Sequence, residues 1–358
     1  MEPVSLSPGI GDDRPTATLY YGQDVRETLR TLPEASVHTV CTSPPYFGLR
    51  DYGTGDKQIG LEDSPEEFVA ALVEVFRDVR RVLRDDGTLW LNLGDSYASS
   101  TKGSGGTGKS TLGAASGGNG ISAEGIARSQ ARQSMAPRKM TCGIADKNLL
   151  GIPWRVALAL QADGWYLRQD IIWAKPNPMP ESVTDRCTKA HEYVFLFAHP
   201  DSGGRYYYDN EAVREPVKAG NTGVLRIPQQ DKYALTSTKV DPTLSRVDRY
   251  DTIKGANRRS VWNVNVAPYS GSHFATWPPE LVRPMVLAGC PAGGTVLDPF
   301  SGSGTTGMVA LQEGRNYVGI DLNPDYLPLA MNRVQELPAP SNASDEERGD
   351  AFDLFSGG

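Results

Sequence analysis

Thr295-Val296-Leu297-Asp298-Pro299-Phe300-Ser301-Gly302-Ser303-Gly304-Thr305-Thr306-Gly307 is the stretch on which the reading of this 358-residue chain turns. Thr295 to Asp298 reads as a strand ending in an acid, Pro299 to Thr305 as a glycine loop, and Thr306 to Gln312 as a helix. A second strand, Tyr317 to Asp321, also ends in an acid. Glycines between strand and helix let a ligand approach bare backbone, and an acid closing the next strand can take two ribose hydroxyls. The unit therefore belongs to an α/β sheet that binds a nucleoside cofactor. Its G-x-G-x-x-G spacing alone would also suit a nicotinamide-dependent oxidoreductase. The prefix Asp298-Pro299-Phe300-Ser301 weighs against that, because a carboxylate facing the loop repels a pyrophosphate and welcomes the α-ammonium of an amino-acid-bearing cofactor.

More than 250 residues upstream, Thr42-Ser43-Pro44-Pro45-Tyr46 follows an apolar run, Val37 to Cys41, that reads as a buried strand. Consecutive prolines fix the backbone and remove two amide donors, while their carbonyls remain able to accept. The corner presents a hydroxyl, carbonyls and an aromatic face together, which suits a flat group carrying N–H donors. On these five residues alone, a plain turn is the competing reading.

Around and between the two motifs the chain alternates. Gly22-Gln23-Asp24 leads into a helix through Leu32. Ser64-Pro65-Glu66-Glu67 is a helix start, with Ser as cap, Pro first and Glu three residues after the cap. Phe68, Leu72, Val75, Val79 and Leu83 then recur at helical spacing until Asp86-Gly87, and Thr88 to Leu93 forms a strand ending at Gly94-Asp95. A helix over Pro153 to Ala162, strands over Tyr166 to Trp173 and Glu192 to Phe197, and helices over Trp277 to Ala288 and Pro324 to Val334 complete the pattern. Such alternation predicts a parallel sheet. Ser43, Asp298 and Asp321 then fall just past the C-terminal ends of strands, where open α/β sheets bind ligands. Asp24 and Asp95 end strands at the same edge, with helix capping as an equal alternative.

Net charge is −7, but six acids against one base lie between Glu336 and Gly358, in a tail expected to be flexible. Six bases (Lys102, Lys109, Arg128, Arg132, Arg138, Lys139) face the single acid Glu124 between Ser96 and Thr141, and thirteen bases face ten acids from Thr184 to Ser260. The body thus carries basic segments that an anionic partner could meet, although solvated charge explains each one equally simply. Tyr97 to Thr141 is rich in Gly, Ser and Thr and reads as a mobile insertion. Inside it, Gly103 to Ser110 fits the P-loop spacing, yet neither a delivering strand nor a receiving helix flanks it, so nucleotide hydrolysis is not expected. Cys41, Cys142, Cys187 and Cys290 stand far apart without clustered His, which predicts reduced thiols and no metal site. No apolar run reaches membrane length and Met1 to Pro15 lacks signal-peptide features, so the expected location is cytoplasmic.

Asp298-Pro-Phe-Ser-Gly-Ser-Gly-Thr-Thr306 together with Ser43-Pro-Pro-Tyr46 resembles the S-adenosylmethionine-dependent DNA amino-methyltransferases. The catalytic corner comes first and the cofactor loop near the C-terminus, the permuted order of the class called beta; Leu89 to Gly94, Ile152 to Pro176 and His273 to Pro279 are similar to it as well. The resemblance covers Leu19 to Val334. It implies a Rossmann-like, mostly parallel methyltransferase sheet with a smaller irregular target-recognition lobe. The expected organisation is an N-terminal extension (1–18), a catalytic half (19–183) carrying the insertion at 97–141, a target-recognition region (184–260), a cofactor half (261–335) and the tail (336–358).

The resemblance further implies S-adenosyl-L-methionine as cofactor and double-stranded DNA as partner. A homodimer and a cognate restriction endonuclease are companions it leaves open, and the source would be bacterial or phage. Ser43, Pro44, Pro45 and Tyr46 take the catalytic role: Ser43 and the Pro44 carbonyl accept from the amine, Pro45 stiffens and Tyr46 stacks on the extruded base. Asp298, Pro299, Phe300, Ser301, Gly302, Gly304, Thr305, Thr306 and Asp321 are the expected cofactor residues, with His273, Phe274 and Thr276 beside them. Arg186, Lys189, Arg258 and Arg259 flank the irregular region and are candidates for DNA contact. Carbon-5 methylation would need a nucleophilic cysteine beside a proline, and strand alternation points Cys41 away from the corner. Ser at the first corner position, and the stretch Ser43 to Gly53, resemble the cytosine-N4 enzymes; N6 of adenine is the alternative.

Overall fold

The computed structural model describes residues 2–7, 14–49, 55–98, 143–216, 255–266 and 277–335. In chain order its elements are β1 (Val4–Leu6), β2 (Ala17–Tyr21), α1 (Val25–Thr31), β3 (Val37–Thr42), α2 (Pro65–Val82), β4 (Leu83–Leu93), α3 (Ile152–Ala162), β5 (Tyr166–Ala174), β6 (His191–Ala198), β7 (Val261–Asn263), α4 (Pro279–Gly289), β8 (Thr295–Asp298), α5 (Thr305–Gln312), β9 (Asn316–Asp321) and α6 (Leu327–Gln335). The strands form one sheet in the order β1-β2-β9-β8-β3-β4-β6-β5-β7.

From β2 to β4 in that order every pairing is parallel. β6 runs against both β4 and β5, β7 lies parallel to β5, and β1 runs against β2. The reversal of β6 has a local cause. Residues 175–190, which join it to β5, contain no helix, and the crossover to a parallel neighbour is usually made by one.

Both faces of the sheet are covered. Leu89, Leu91 and Leu93 pack with α1, α2 and α3, while Trp90, alternating with them on β4, packs with α4, α5 and α6 on the other side. Helix α2 shows how sequence becomes packing. Ser64 and Glu67 form the expected capping box around Pro65, a motif whose cap alone contributes about 1 kcal/mol. Phe68, Leu72, Val75, Phe76, Val79 and Val82 form its buried stripe, each worth about 1.5–3 kcal/mol of transfer free energy.

The expected helix end at Asp86-Gly87 needs correction. α2 stops at Val82, because Leu83 is already extended (φ −78°, ψ 140°) while its amide still donates to the Val79 carbonyl. Leu83 pairs with Val37 and Thr88 with Thr39, so Arg84 to Gly87 bulge from the ladder.

Tyr21, Thr42, Leu93, Ala174, Asp298 and Asp321 thus end their strands at one edge of the sheet. Because β6 is reversed, it brings its first residues, His191 and Glu192, to that same edge. A bridge between Tyr97 and Leu149 holds together the flanks of the predicted basic insertion. Apart from Tyr97 and Ala98, that insertion, with its P-loop-like spacing, lies outside the described residues, as do 217–254 of the expected recognition region and the tail at 336–358. Val213 and the partly buried Tyr206, both from the expected recognition region, pack onto the second face of the sheet. Among the described residues no helix is long and apolar enough to cross a membrane.

Candidate active site

The glycine loop is shaped by backbone and pinned by tyrosines. Gly304 precedes α5 with φ +80°, a left-handed conformation, and a Cβ there would come within 3.0 Å of Ala330; only glycine satisfies both demands. The Tyr21 hydroxyl donates to the Gly302 carbonyl at 2.9 Å and lies 2.7 Å from Ser301 Oγ, which in turn meets the Tyr317 hydroxyl at 2.7 Å. The Ser301 amide donates to the Ile320 carbonyl at 2.9 Å. Ser301 therefore ties the loop to β2 and β9, and burial pushes both tyrosine pKa values up, keeping them neutral.

Two acids close the neighbouring strands. Asp298 is 2% exposed; its Oδ1 accepts from Thr42 Oγ1 at 2.7 Å and from the Phe300 amide at 3.1 Å, and its Oδ2 accepts from Thr306 Oγ1 at 2.6 Å. A carboxylate has about four acceptor positions, so these described partners leave one, on Oδ2. Burial raises the Asp298 pKa to about 6, against the opposing pull of those hydrogen bonds. Asp321 accepts from the Gly302 amide through Oδ2 at 2.7 Å and from the Asn323 amide through Oδ1 at 2.8 Å. One position stays open on each of its oxygens among the described partners. Burial carries its pKa up to about 7, with Asp298 adding to the rise.

At the Pro-Pro corner the hydrogen bonding fixes a polarity. Asn92 Nδ2 donates to the Tyr193 carbonyl at 3.0 Å and toward Glu192 Oε2 at 3.3 Å, which assigns Asn92 Oδ1 as the acceptor facing Ser43. Ser43 Oγ donates to that oxygen at 3.1 Å. Tyr46 has one hydroxyl hydrogen, and its nearer acceptor is Glu192 Oε2 at 2.6 Å rather than Asn92 Oδ1 at 3.1 Å. With its hydrogen committed to Asn92, Ser43 can offer the cavity only lone pairs. Lys175 pairs with Glu192 and lies 4.2 Å from the Trp173 ring centre. The Tyr46 ring rests on Gly94, where a Cβ would sit 2.4 Å from its Cε2.

Corner and loop share one cavity of about 250 Å³. Ser43 to Tyr46, Asp298 to Ser303, Thr305 and Asp321 line it, so most of the sequence-predicted residues come together. Gly304 and Thr306 stand behind the wall, as turn and as donor to Asp298. Asp24 lines the cavity and also caps α1 through the Arg26 amide. Asp95 accepts from the Ile152 amide at 3.0 Å, at the start of α3, whose N-cap position is Gly151; Asp24 thus caps its helix, and Asp95 serves a helix-end amide from outside.

His273, Phe274 and Thr276 lie outside the described residues, although Trp277, directly after them, lines the cavity. The residues that motif reading missed are Asn92, Trp173, Lys175 and Glu192. Asn92 left one trace, as a lone polar residue within Leu89-Trp-Leu-Asn-Leu93.

The four cationic candidates do not form one cluster. Arg186 pairs with Glu181 at 2.7 Å and covers the Tyr97 ring at 4.1 Å. Lys189 Nζ donates to the Asp95 carbonyl at 2.8 Å, and burial lowers its pKa. Both stand on the loop entering the site edge. Arg258, half-buried over the Trp262 ring at 4.5 Å, and Arg259, paired with Glu215 at 2.8 Å, precede β7 on its side away from that edge. Cys41 is buried among Trp90 and the α4 residues, and burial raises its thiol pKa.

A family model described as DNA methylase matches residues 37–332. The chain belongs to the DNA methylase family. This methylase is 46% identical to the Type II methyltransferase M.Cfr9I of Citrobacter freundii over 319 residues, which cover 89% of this chain and 88% of that protein. It is 45% identical to the Type II methyltransferase M.SmaI of Serratia marcescens over 312 residues, covering 87% and 88%. Its fold is that of the PvuII DNA methyltransferase (cytosine-N4-specific), with a TM-score of 0.56 at 18% identity over 92% of this chain and 89% of that one.

The methylase is an S-adenosylmethionine-dependent amino-methyltransferase. The cavity's donor set fits that cofactor: an acid with one open acceptor position for an ammonium, a second acid with two for ribose hydroxyls, and apolar Phe300, Leu322 and Tyr326 between them.

Proposed function

We propose that the protein methylates N4 of cytosine at a specific sequence in double-stranded DNA, on a base turned out of the helix into the cavity. The observation that carries the amine chemistry is the Ser43 to Asn92 hydrogen bond at 3.1 Å. An exocyclic amine is a poor nucleophile because its lone pair is delocalised into the ring. Ser43 Oγ, presented as an acceptor, and the Pro44 carbonyl take its two N–H groups and draw the nitrogen toward a tetrahedral form. Tyr46, braced on Gly94 and Glu192, offers its ring to the base; such stacking is worth about 1–3 kcal/mol and offsets part of an extrusion cost of a few kcal/mol.

The bound cofactor supplies an electrophilic methyl group. The protein's own contribution is positioning: Asp298 and Thr42 fix the loop relative to the corner, so the two halves of the cavity keep one register. Cytosine is favoured by Ser at the first corner position, where the chain resembles the cytosine-N4 type. N6 of adenine is the second reading, by the same hydrogen-bond chemistry. Residues 184–260 are assigned to reading the sequence.

Nucleoside mass spectrometry of DNA from cells expressing the protein tests this. N4-methylcytosine is the expected product; N6-methyladenine would move the assignment to the second reading, and unmodified DNA would refute both.

A further inference from the structure

Among the described residues Met179 is the most exposed large apolar side chain, at 83%, where Leu149 and Leu158 follow at 53%. A lone exposed methionine is ordinary. The backbone beneath this one is not. Pro176, Pro178 and Pro180 alternate through Lys175-Pro-Asn-Pro-Met-Pro-Glu181; each fixes its own φ and biases the residue before it toward extended geometry.

Both ends of the segment are anchored. Asn177 exchanges two hydrogen bonds with the Val266 backbone, at 3.1 and 2.8 Å, and the Glu181 carboxylate accepts from Arg186 at 2.7 Å and from the Lys189 amide at 3.4 Å. Lys175, where the segment begins, and Val266, to which it is tied, both line the cavity. A proline-restricted, doubly anchored segment that starts at the cavity wall therefore holds an uncharged thioether in water. An ordering cost that a loose loop would incur on binding has already been met in folding.

We infer that Met179 is a wedge that enters the DNA duplex at the position the target base leaves. The inference rests on the base-extrusion reading above. Extrusion unstacks the neighbouring pairs, and an apolar side chain inserted between base steps fills the gap. Methionine, unbranched and polarisable, suits an irregular hole, and an uncharged tip has nothing to offer a phosphate.

The test begins by mapping the site that the wild-type protein methylates in plasmid DNA. Duplex oligonucleotides carrying that site are then made with the target base paired normally or placed opposite an abasic position. Met179→Ala is expected to lower kcat/KM about tenfold on the paired duplex and less than about twofold on the abasic one, where extrusion is already easy. Met179→Leu should stay within about threefold of wild type on both, and S-adenosylmethionine affinity, read by titration, should not change. Equal losses on the two duplexes, or no loss on either, would overturn the wedge. If the wild-type protein methylates no plasmid DNA, it is the underlying reading that fails.

Discussion

Thr42 Oγ1 donates to Asp298 Oδ1 at 2.7 Å across 256 residues of sequence. Thr42 is the last residue of β3, directly before the catalytic corner, and Asp298 is the last of β8, directly before the cofactor loop. One bond between adjacent parallel strands thus sets the distance between the base side of the cavity and the cofactor side. Thr42→Val keeps the shape and removes the donor. It is expected to cost about 2 kcal/mol of stability in urea unfolding, as for other hydrogen bonds to charged groups. Asp298 should then titrate still higher, and cofactor titration near pH 6 should show a weaker complex.

Asn92 acts through Ser43 rather than on the base. Asn92→Leu is expected to lower kcat at least about tenfold with cofactor affinity unchanged. In a Ser43→Ala background the same substitution should add little, because the residue it orients is gone. Additive losses in that double-mutant cycle would assign Asn92 a separate role.

Gly94→Ala places a methyl group where the Tyr46 ring lies, 2.4 Å from Cε2. A clash of this kind costs about 1–3 kcal/mol unless the ring moves. The ring is expected to swing off Glu192, leaving a folded protein by circular dichroism with kcat reduced about tenfold or more.

The two acids set a pH dependence. Their folded pKa values, about 6 for Asp298 and about 7 for Asp321, lie above the ordinary 3.8. The folded chain therefore holds more protons than the unfolded one. The stability this adds is complete below about pH 4 and is lost as pH rises through 6 and 7. A bound ammonium and ribose hydroxyls favour the ionised forms, so cofactor binding should release protons. Affinity should rise between about pH 5.5 and 7.5, by up to about tenfold per unit for each coupled proton. Calorimetry in buffers of different ionisation enthalpy measures the release. Asp321→Ala should weaken cofactor binding, leave DNA affinity near wild type and flatten the upper part of the profile.

Sequence carried the two motifs because each is local. Pro44-Pro45 and Gly302 to Gly304 announce backbone geometry that few other residues permit, and Asp321 sits at the distance one strand requires. The capping box at Ser64 and Glu67 was legible for the same reason. Asn92 and Glu192 were not, since their roles arise only where β4 and β6 lie side by side, and the reversal of β6 followed from a helix missing between strands rather than from any residue present. From the sequence, Asp298 is an acid at a strand end that faces the loop. In the fold three of its acceptor positions serve Thr42, Phe300 and Thr306, partners that a linear motif does not reveal.

Trp173 and Trp277 line the cavity, two of six tryptophans in the chain. Trp173 also carries the Lys175 ammonium over its ring, a charge close enough to shift indole emission. The protein therefore holds an optical reporter inside its own pocket. Occupancy by cofactor or by a base can be followed in the ultraviolet without attaching a dye, and the Trp173→Phe and Trp277→Phe forms would tell which compartment had filled.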